Sequence, residues 1–138
     1  MKEKIWLSSP HMGGAELKYI NQAFEENWIS PLGPNVNGFE DDLELFLGEN
    51  VHVAALMSGT SAIHIALILL NVKPGDEVLC QSLTFSASAN PIVYMGASPV
   101  FIDSEEETWN ISPVALEEAI LDGIKRGKKP KAIIAVCI

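Results

Sequence analysis

A chain of 138 residues, 48% of them hydrophobic, has room for one domain with a proper core and not for two comfortable ones. Its 18 acidic and 9 basic residues leave a net charge of −9, which argues against nucleic acid or an anionic membrane as partner. No apolar run reaches the roughly 18 residues that span a bilayer, and the charged start leads only into Ile5-Trp6-Leu7, so the sequence reads as soluble, unexported and cytoplasmic.

In chain order, Ser8-Ser9-Pro10-His11-Met12-Gly13-Gly14 is a turn-rich lead-in. Leu17, Ile20, Ala23 and Phe24 then fall on one face of a predicted helix over residues 15–26. Trp28-Ile29-Ser30-Pro31-Leu32-Gly33-Pro34-Asn35 breaks that pattern with two prolines and a glycine among large apolar residues. Such a loop either shapes a site or is pinned to the core by Trp28 and Leu32. Asn37 is placed to cap a second helix ending at Leu47, with Phe39, Leu43, Phe46 and Leu47 inward. Glu40, Asp41, Asp42 and Glu44 face outward or occupy its first turn, where acids suit the helix dipole.

The central stretch reads as a buried strand, a tight turn and a helix: Val53-Ala54-Ala55-Leu56-Met57, then Ser58-Gly59-Thr60-Ser61, then apolar residues to Leu70. Gly59 offers backbone freedom, and Thr60 or Ser61 can cap, so that free N–H groups and three hydroxyls form a cradle suited to a phosphate dianion without a lysine. The same residues also serve an ordinary capped turn, and the turn alone does not separate the two.

Lys73-Pro74-Gly75-Asp76 is a turn, residues 77–81 a strand, and Thr84-Phe85-Ser86-Ala87-Ser88-Ala89-Asn90 opens a helix reaching Met95. A strand at 99–102 ends at Asp103, an acidic loop follows, and Ser112-Pro113 starts a helix to about Lys125. Residues 132–138 form a last buried strand. Cys80 and Cys137, both in apolar runs without metal-ligand spacing, read as buried inert thiols. The alternation of strands and helices from residue 51 onward is the signature of a parallel sheet covered on both faces, a three-layer α/β arrangement. Ligands in such sheets gather beyond the carboxyl ends of the strands. There the 58–61 turn, the 82–90 segment and the loop after Asp103 converge. The flat face of Phe85 beside an anion cradle suits a planar phosphorylated ring. His11 and His64 carry little catalytic weight; His64 reads as a packed or hydrogen-bonded residue and His52 as a strand-end one.

These segments, collinear over nearly the whole chain, resemble the DegT/DnrJ/StrS sugar aminotransferases, pyridoxal-phosphate enzymes of fold type I. The residues that carry the resemblance are residues 8–14, Asn27-Trp28-Ile29-Ser30-Pro31-Leu32-Gly33-Pro34, Ser58-Gly59-Thr60-Ser61-Ala62, residues 83–92, and Gly96-Ala97-Ser98-Pro99-Val100-Phe101-Ile102-Asp103. The resemblance implies the N-terminal part of the fold type I large domain. Residues 1–50 would be a helical segment with a substrate-pocket loop, and residues 51–138 a partial cofactor-binding domain. It implies pyridoxal 5'-phosphate as cofactor, held by Gly59, Thr60 and Ser61, with Phe85 on the ring and Asn90 near it or supporting that loop. Trp28, Ile29, Pro31, Leu32 and Gly33 would border the sugar pocket.

For the complete protein it further implies amination of a nucleotide-linked keto sugar, for a cell-surface glycan or similar product, by a homodimer using an amino donor such as glutamate. No catalytic residue is assigned within the chain, because the Schiff-base lysine of such enzymes would lie beyond residue 138. Lys125, Lys128, Lys129 and Lys131 read instead as a solvated cluster. The chain by itself is expected to be inactive, to bind cofactor weakly, and to expose strand edges and apolar patches. Two other readings remain: a sugar dehydratase of the same fold, and a non-enzymatic phosphate-binding module.

Overall fold

Strands that are apolar on both sides pair in parallel only where helices can cover both faces, and β1 (Glu77–Gln81) meets that condition. In the computed structural model, which describes residues 4–6, 8–48 and 50–137, β1 lies between β2 (Ser98–Ile102) and β3 (Ala132–Ile134). All pairs are parallel, and Leu79 stands opposite Val100 on one side and Ile133 on the other.

The pleat sorts β1 into two faces. Val78 and Cys80 are buried in one cluster with Leu67, Ile92, Ala97 and Val72, which brings α3 (Gly59–Leu69) and α4 (Asn90–Tyr94) onto that face. Glu77, Leu79 and Gln81 point the other way, where α5 (Pro113–Lys125) packs on β2 and Arg126, just past the end of α5, reaches Glu77. The expected parallel α/β arrangement is therefore present. Ser112 caps α5 by accepting from the Ala115 N–H at 3.2 Å, with Pro113 in the first turn, as the sequence indicates.

The chain divides into two compact units, Met1–Ala55 and Leu56–Ile138. The first carries α1 (Glu16–Glu25) and α2 (Pro34–Leu47), joined by a hydrogen bond from Asn35 Nδ2 to the Tyr19 carbonyl at 3.1 Å. Neither helix has a buried residue.

The structure departs from the sequence-based expectations at several elements. The helix assigned to begin after Asn37 starts at Pro34, because Gly33 takes φ 148° and proline's fixed φ already suits a first helical turn; the Asn37 N–H bonds back to the Gly33 carbonyl. Phe39, Phe46 and Leu47 are exposed rather than inward, since two helices have no third layer to enclose them. The helix expected over 84–95 is a 3-10 turn, Ser86–Ser88, followed by α4, as Pro91 fits only near a helix start. The strand expected at 53–57 is unpaired among the described residues; a ladder needs a neighbouring strand, whatever the local propensity. The last strand ends at Ile134, and Ile138 lies outside the described residues, as do residues 1–3 of the charged start and Leu7 of the run after it. Cys80 is buried, and burial pushes its thiol pKa up, but Cys137 is exposed.

The start of β1 is tied to the end of α5 by a charged clamp. Arg126 donates to both Glu77 oxygens at 2.9 Å and to Asp122 at 2.7 Å, and Lys128 stands 3.8 Å from Glu77, whose side chain is only 11% exposed. The hydrogen bonds from Arg126 outweigh burial and hold the Glu77 carboxyl below its usual range. A carboxyl depressed in the folded state stabilises at neutral pH and loses that contribution as pH falls through its folded pKa. Glu77→Gln should accordingly melt a few degrees lower than the wild type at pH 7. Circular-dichroism melts should show the gap closing on acidification below about pH 4; a gap constant with pH contradicts the clamp.

Candidate functional site

The site is built from the beginning of α3. Ser58 is extended (φ −167°, ψ 159°), and its Oγ accepts from the Ser61 N–H at 3.2 Å while its carbonyl accepts from the Ala62 N–H at 3.1 Å. The cap is therefore Ser58, not Thr60 or Ser61, because those two already carry helical backbone. Among the described residues the Gly59 and Thr60 N–H groups have no partner. The Ser61 hydroxyl lies 3.0 Å from that of Ser58.

Gly59 is not in the left-handed region, so the turn does not require glycine for its backbone. A Cβ built there would meet nothing within 4 Å. The Cβ position of Gly59 is open, and two unpaired donors stand at the positive end of the helix, where anions are favoured.

The second segment leaves the carboxyl end of β1. The Ser82 N–H bonds to the Ile102 carbonyl at 2.8 Å, Thr84 Oγ1 and the buried Ser88 Oγ lie 2.8 Å apart, and the Ser88 N–H bonds to the Phe85 carbonyl at 2.9 Å. The 3-10 turn and α4 pack against α3, which puts this segment on the same side of the sheet as the 58–61 turn. Phe85 is 81% exposed on backbone held at both ends, a flat apolar face presented outward. Asn90 begins α4 and is exposed, with buried Pro91 and Ile92 after it.

The third segment follows β2. Asp103 Oδ1 accepts from the Ser104 N–H at 2.8 Å and from Ser82 Oγ at 3.5 Å. Gln81, fully buried, donates to the Trp109 carbonyl at 3.0 Å and to Ser104 Oγ at 3.5 Å, and its Oε1 has no partner among the described residues. Little in the sequence marks Gln81 as a structural residue. Its one signal is an amide directly after the apolar run Val78-Leu79-Cys80, a position that must find partners once buried. Glu105 accepts from the Thr108 hydroxyl and from the Glu107 and Thr108 N–H groups, which hold its carboxyl below its usual range and shape the acidic loop.

In the first unit, the Trp28 N–H bonds to the Ala23 carbonyl at 2.7 Å, and its side chain lies over Gly33, where an added Cβ would come within 3.2 Å of the Trp28 Cβ and 3.4 Å of its ring. Trp28, Ser30, Leu32 and Gly33 line a cavity of about 40 Å³, room for water rather than a sugar. Ile29 and Pro31 are exposed and do not line it. With Leu32 also exposed, the loop is folded on itself and not pinned to a core. His64 packs edge-on against Tyr94 at 5.6 Å, and exposed His52 sits 3.7 Å from Glu44. Among the described residues no group of His, Cys, Asp and Glu could hold a metal, and no helix is long and apolar enough to cross a membrane.

Residues 10–138 match the DegT/DnrJ/EryC1/StrS aminotransferase family. The chain belongs to that family. It is 58% identical over 136 residues to EpsN of Bacillus subtilis (strain 168), whose name assigns it as a pyridoxal phosphate-dependent aminotransferase; the match covers 99% of this chain and 35% of EpsN. To the GDP-perosamine synthase of Escherichia coli O157:H7 it is 38% identical over 130 residues, covering 92% of this chain and 33% of that protein. The chain thus spans about a third of the length of these relatives.

Among solved structures, the Brucella abortus DegT DnrJ EryC1 StrS aminotransferase superposes with a TM-score of 0.76 at 36% identity, over 91% of this chain and 36% of that one. The sugar aminotransferase Spr1654 of Streptococcus pneumoniae in its PMP form gives 0.78 at 32% identity, over 96% of this chain and 31% of that one. The family membership and the fold it carries agree with the resemblance read from the sequence.

The cap generates a direct check. Ser58→Ala should cost about 1 kcal/mol of stability in urea denaturation, and Ser58→Asp, which keeps an acceptor for the Ser61 N–H, should recover most of it.

Proposed function

We propose that the protein carrying this chain is a pyridoxal-phosphate-dependent aminotransferase of a nucleotide-linked keto sugar. This chain would supply the corner for the cofactor phosphate, the plate for its ring and part of the sugar pocket. The observation that carries the reading is the pair of unpartnered N–H groups at Gly59 and Thr60 beneath space that a Cβ at position 59 would enter. Donors of this kind hold a dianion without a cation, so a chain of net charge −9 can still bind phosphate.

In this reading Gly59, Thr60 and Ser61 hold the phosphate by two N–H groups and two hydroxyls, and Ser58 keeps the helix start in place. Phe85 covers one face of the ring and excludes water from it, and Asn90 supports the polar rim. Trp28, Ile29, Pro31, Leu32 and Gly33 border the sugar through the outer surface of their loop, since the cavity within the loop admits only water. Bound pyridoxal phosphate supplies an electron sink that lets an amino group leave one carbon and join another. None of the residues named here moves a proton; they bind and orient.

The names of the relatives support the rest. EpsN is named for pyridoxal phosphate, the perosamine synthase for a GDP-linked product, and SpsC, 42% identical over 113 residues, for spore coat polysaccharide biosynthesis. The setting we assign is amino-sugar biosynthesis in the cytoplasm, with an amino donor such as glutamate. A homodimer fits the exposed Phe24, Phe39 and Phe46.

Isothermal titration of this chain with pyridoxal phosphate, pyridoxal and inorganic phosphate tests the reading. Pyridoxal phosphate should bind at least about tenfold tighter than inorganic phosphate, with Phe85→Ala removing most of that preference. Equal affinities would overturn it in favour of a plain phosphate-binding module. Gly59→Ala should weaken every phosphate ligand while leaving the melting temperature unchanged or slightly raised, since alanine favours a helix over glycine by about 1 kcal/mol. Treatment with stoichiometric pyridoxal phosphate and borohydride should give only partial labelling spread over the exposed lysines; complete labelling of a single one of Lys125, Lys128, Lys129 or Lys131 would contradict the absence of a catalytic lysine among them.

A further inference from the structure

Within the first unit the extended segment after α2 is held by side chains, not by a strand. The Val53 N–H donates to Glu44 Oε1 at 2.8 Å, and the Ala55 N–H donates to Glu40 Oε1 at 2.7 Å. The match is one of repeat lengths. Glu40 and Glu44 stand one turn apart on α2, a rise of about 6 Å, and N–H groups two residues apart on one edge of an extended chain are separated by about 6.6 Å. The pairing runs in reverse order, Glu44 with Val53 and Glu40 with Ala55, as it must for a helix and a returning segment that lie antiparallel. Both contacts are part-buried and charge-assisted, and Val53 and Ala55 are half-buried while Ala54 is exposed. Among the described residues the Ala54 N–H has no partner, so the two edges of the segment are treated differently.

An extended segment with free donors is a template for another strand, and proteins close such edges with charged side chains. We propose that Glu40 and Glu44 are edge-closing residues, whose carboxylates occupy the Val53 and Ala55 donors and prevent this edge from adding the same edge of a second copy of the chain. The other acids of α2 do not share this geometry: Asp41 and Asp42 are exposed and make no such contact.

Amide hydrogen exchange with sedimentation analysis tests the proposal. In the wild-type chain Val53 and Ala55 should exchange slowly and Ala54 fast. Glu40→Ala should release Ala55 alone and Glu44→Ala should release Val53 alone, each exchange rate rising about tenfold or more. The double alanine variant should gain concentration-dependent association, with an infrared band of intermolecular β-structure. Glu40→Gln with Glu44→Gln, which keeps an acceptor oxygen at each position, should retain slow exchange and the wild-type sedimentation. Fast exchange at Val53 and Ala55 in the wild type overturns the proposal. So does release of both amides by either single alanine variant, which would mean that α2 itself is lost, and so does an alanine double variant that associates no more than the wild type.

Discussion

An α-helix cannot satisfy its own first donors, and α3 meets that constraint only in part. Ser58 takes the Ser61 N–H and leaves those of Gly59 and Thr60 open. The rest of the second unit determines where that helix start lies. Leu67 and Ile63 anchor α3 on the Val78 and Cys80 face of β1, and the chain leaving β1 returns along the same face through the 3-10 turn and α4. Two unsatisfied donors and an uncovered aromatic ring thus come from segments separated in sequence by a complete helix and strand, brought to one side of the sheet by ordinary core packing.

The opposite face of the sheet has a different character. There Glu77 is bound by Arg126, and Gln81 is buried against the Trp109 carbonyl, so polar groups at the two ends of β1 bracket the apolar Leu79. The clamp at Glu77 joins residues 49 positions apart with two parallel hydrogen bonds, a geometry only arginine offers a carboxylate. At the other end Gln81 fixes the loop that follows β2, while its second polar atom remains unmatched within the described residues.

The first unit carries its acidity differently. The carboxylates of Glu40 and Glu44 bind backbone donors of the segment that follows, and Glu16 accepts from the Gly14 N–H at 2.8 Å, with its carboxyl held below the usual range by backbone hydrogen bonds. A chain of net charge −9 thus uses part of its excess acid as backbone acceptors. Its helices nevertheless leave Leu17, Phe24, Phe39 and Phe46 exposed, more apolar surface than a pair of helices can cover for itself.

The elements whose signals are local were legible in the sequence. Ser112-Pro113 starts α5, Gly75 with Asp76 precedes β1, and β1 and β2 fall almost where the apolar runs place them. The strand-helix alternation was enough for a parallel sheet, and five collinear segments were enough for the family. Other features required the tertiary structure. Which of three hydroxyl residues caps α3 depends on which one is extended, and the space at the Gly59 Cβ position is open although its own φ does not require glycine. Residues 53–57 have every local mark of a strand, yet pairing is a property of two segments, and here the donors went to Glu40 and Glu44. Sequence determines what each segment is able to do, because propensity and periodicity act over a few residues; which donors stay open and which rings stay uncovered was decided only when distant segments packed, since satisfaction of a polar group is a relation between neighbours in space.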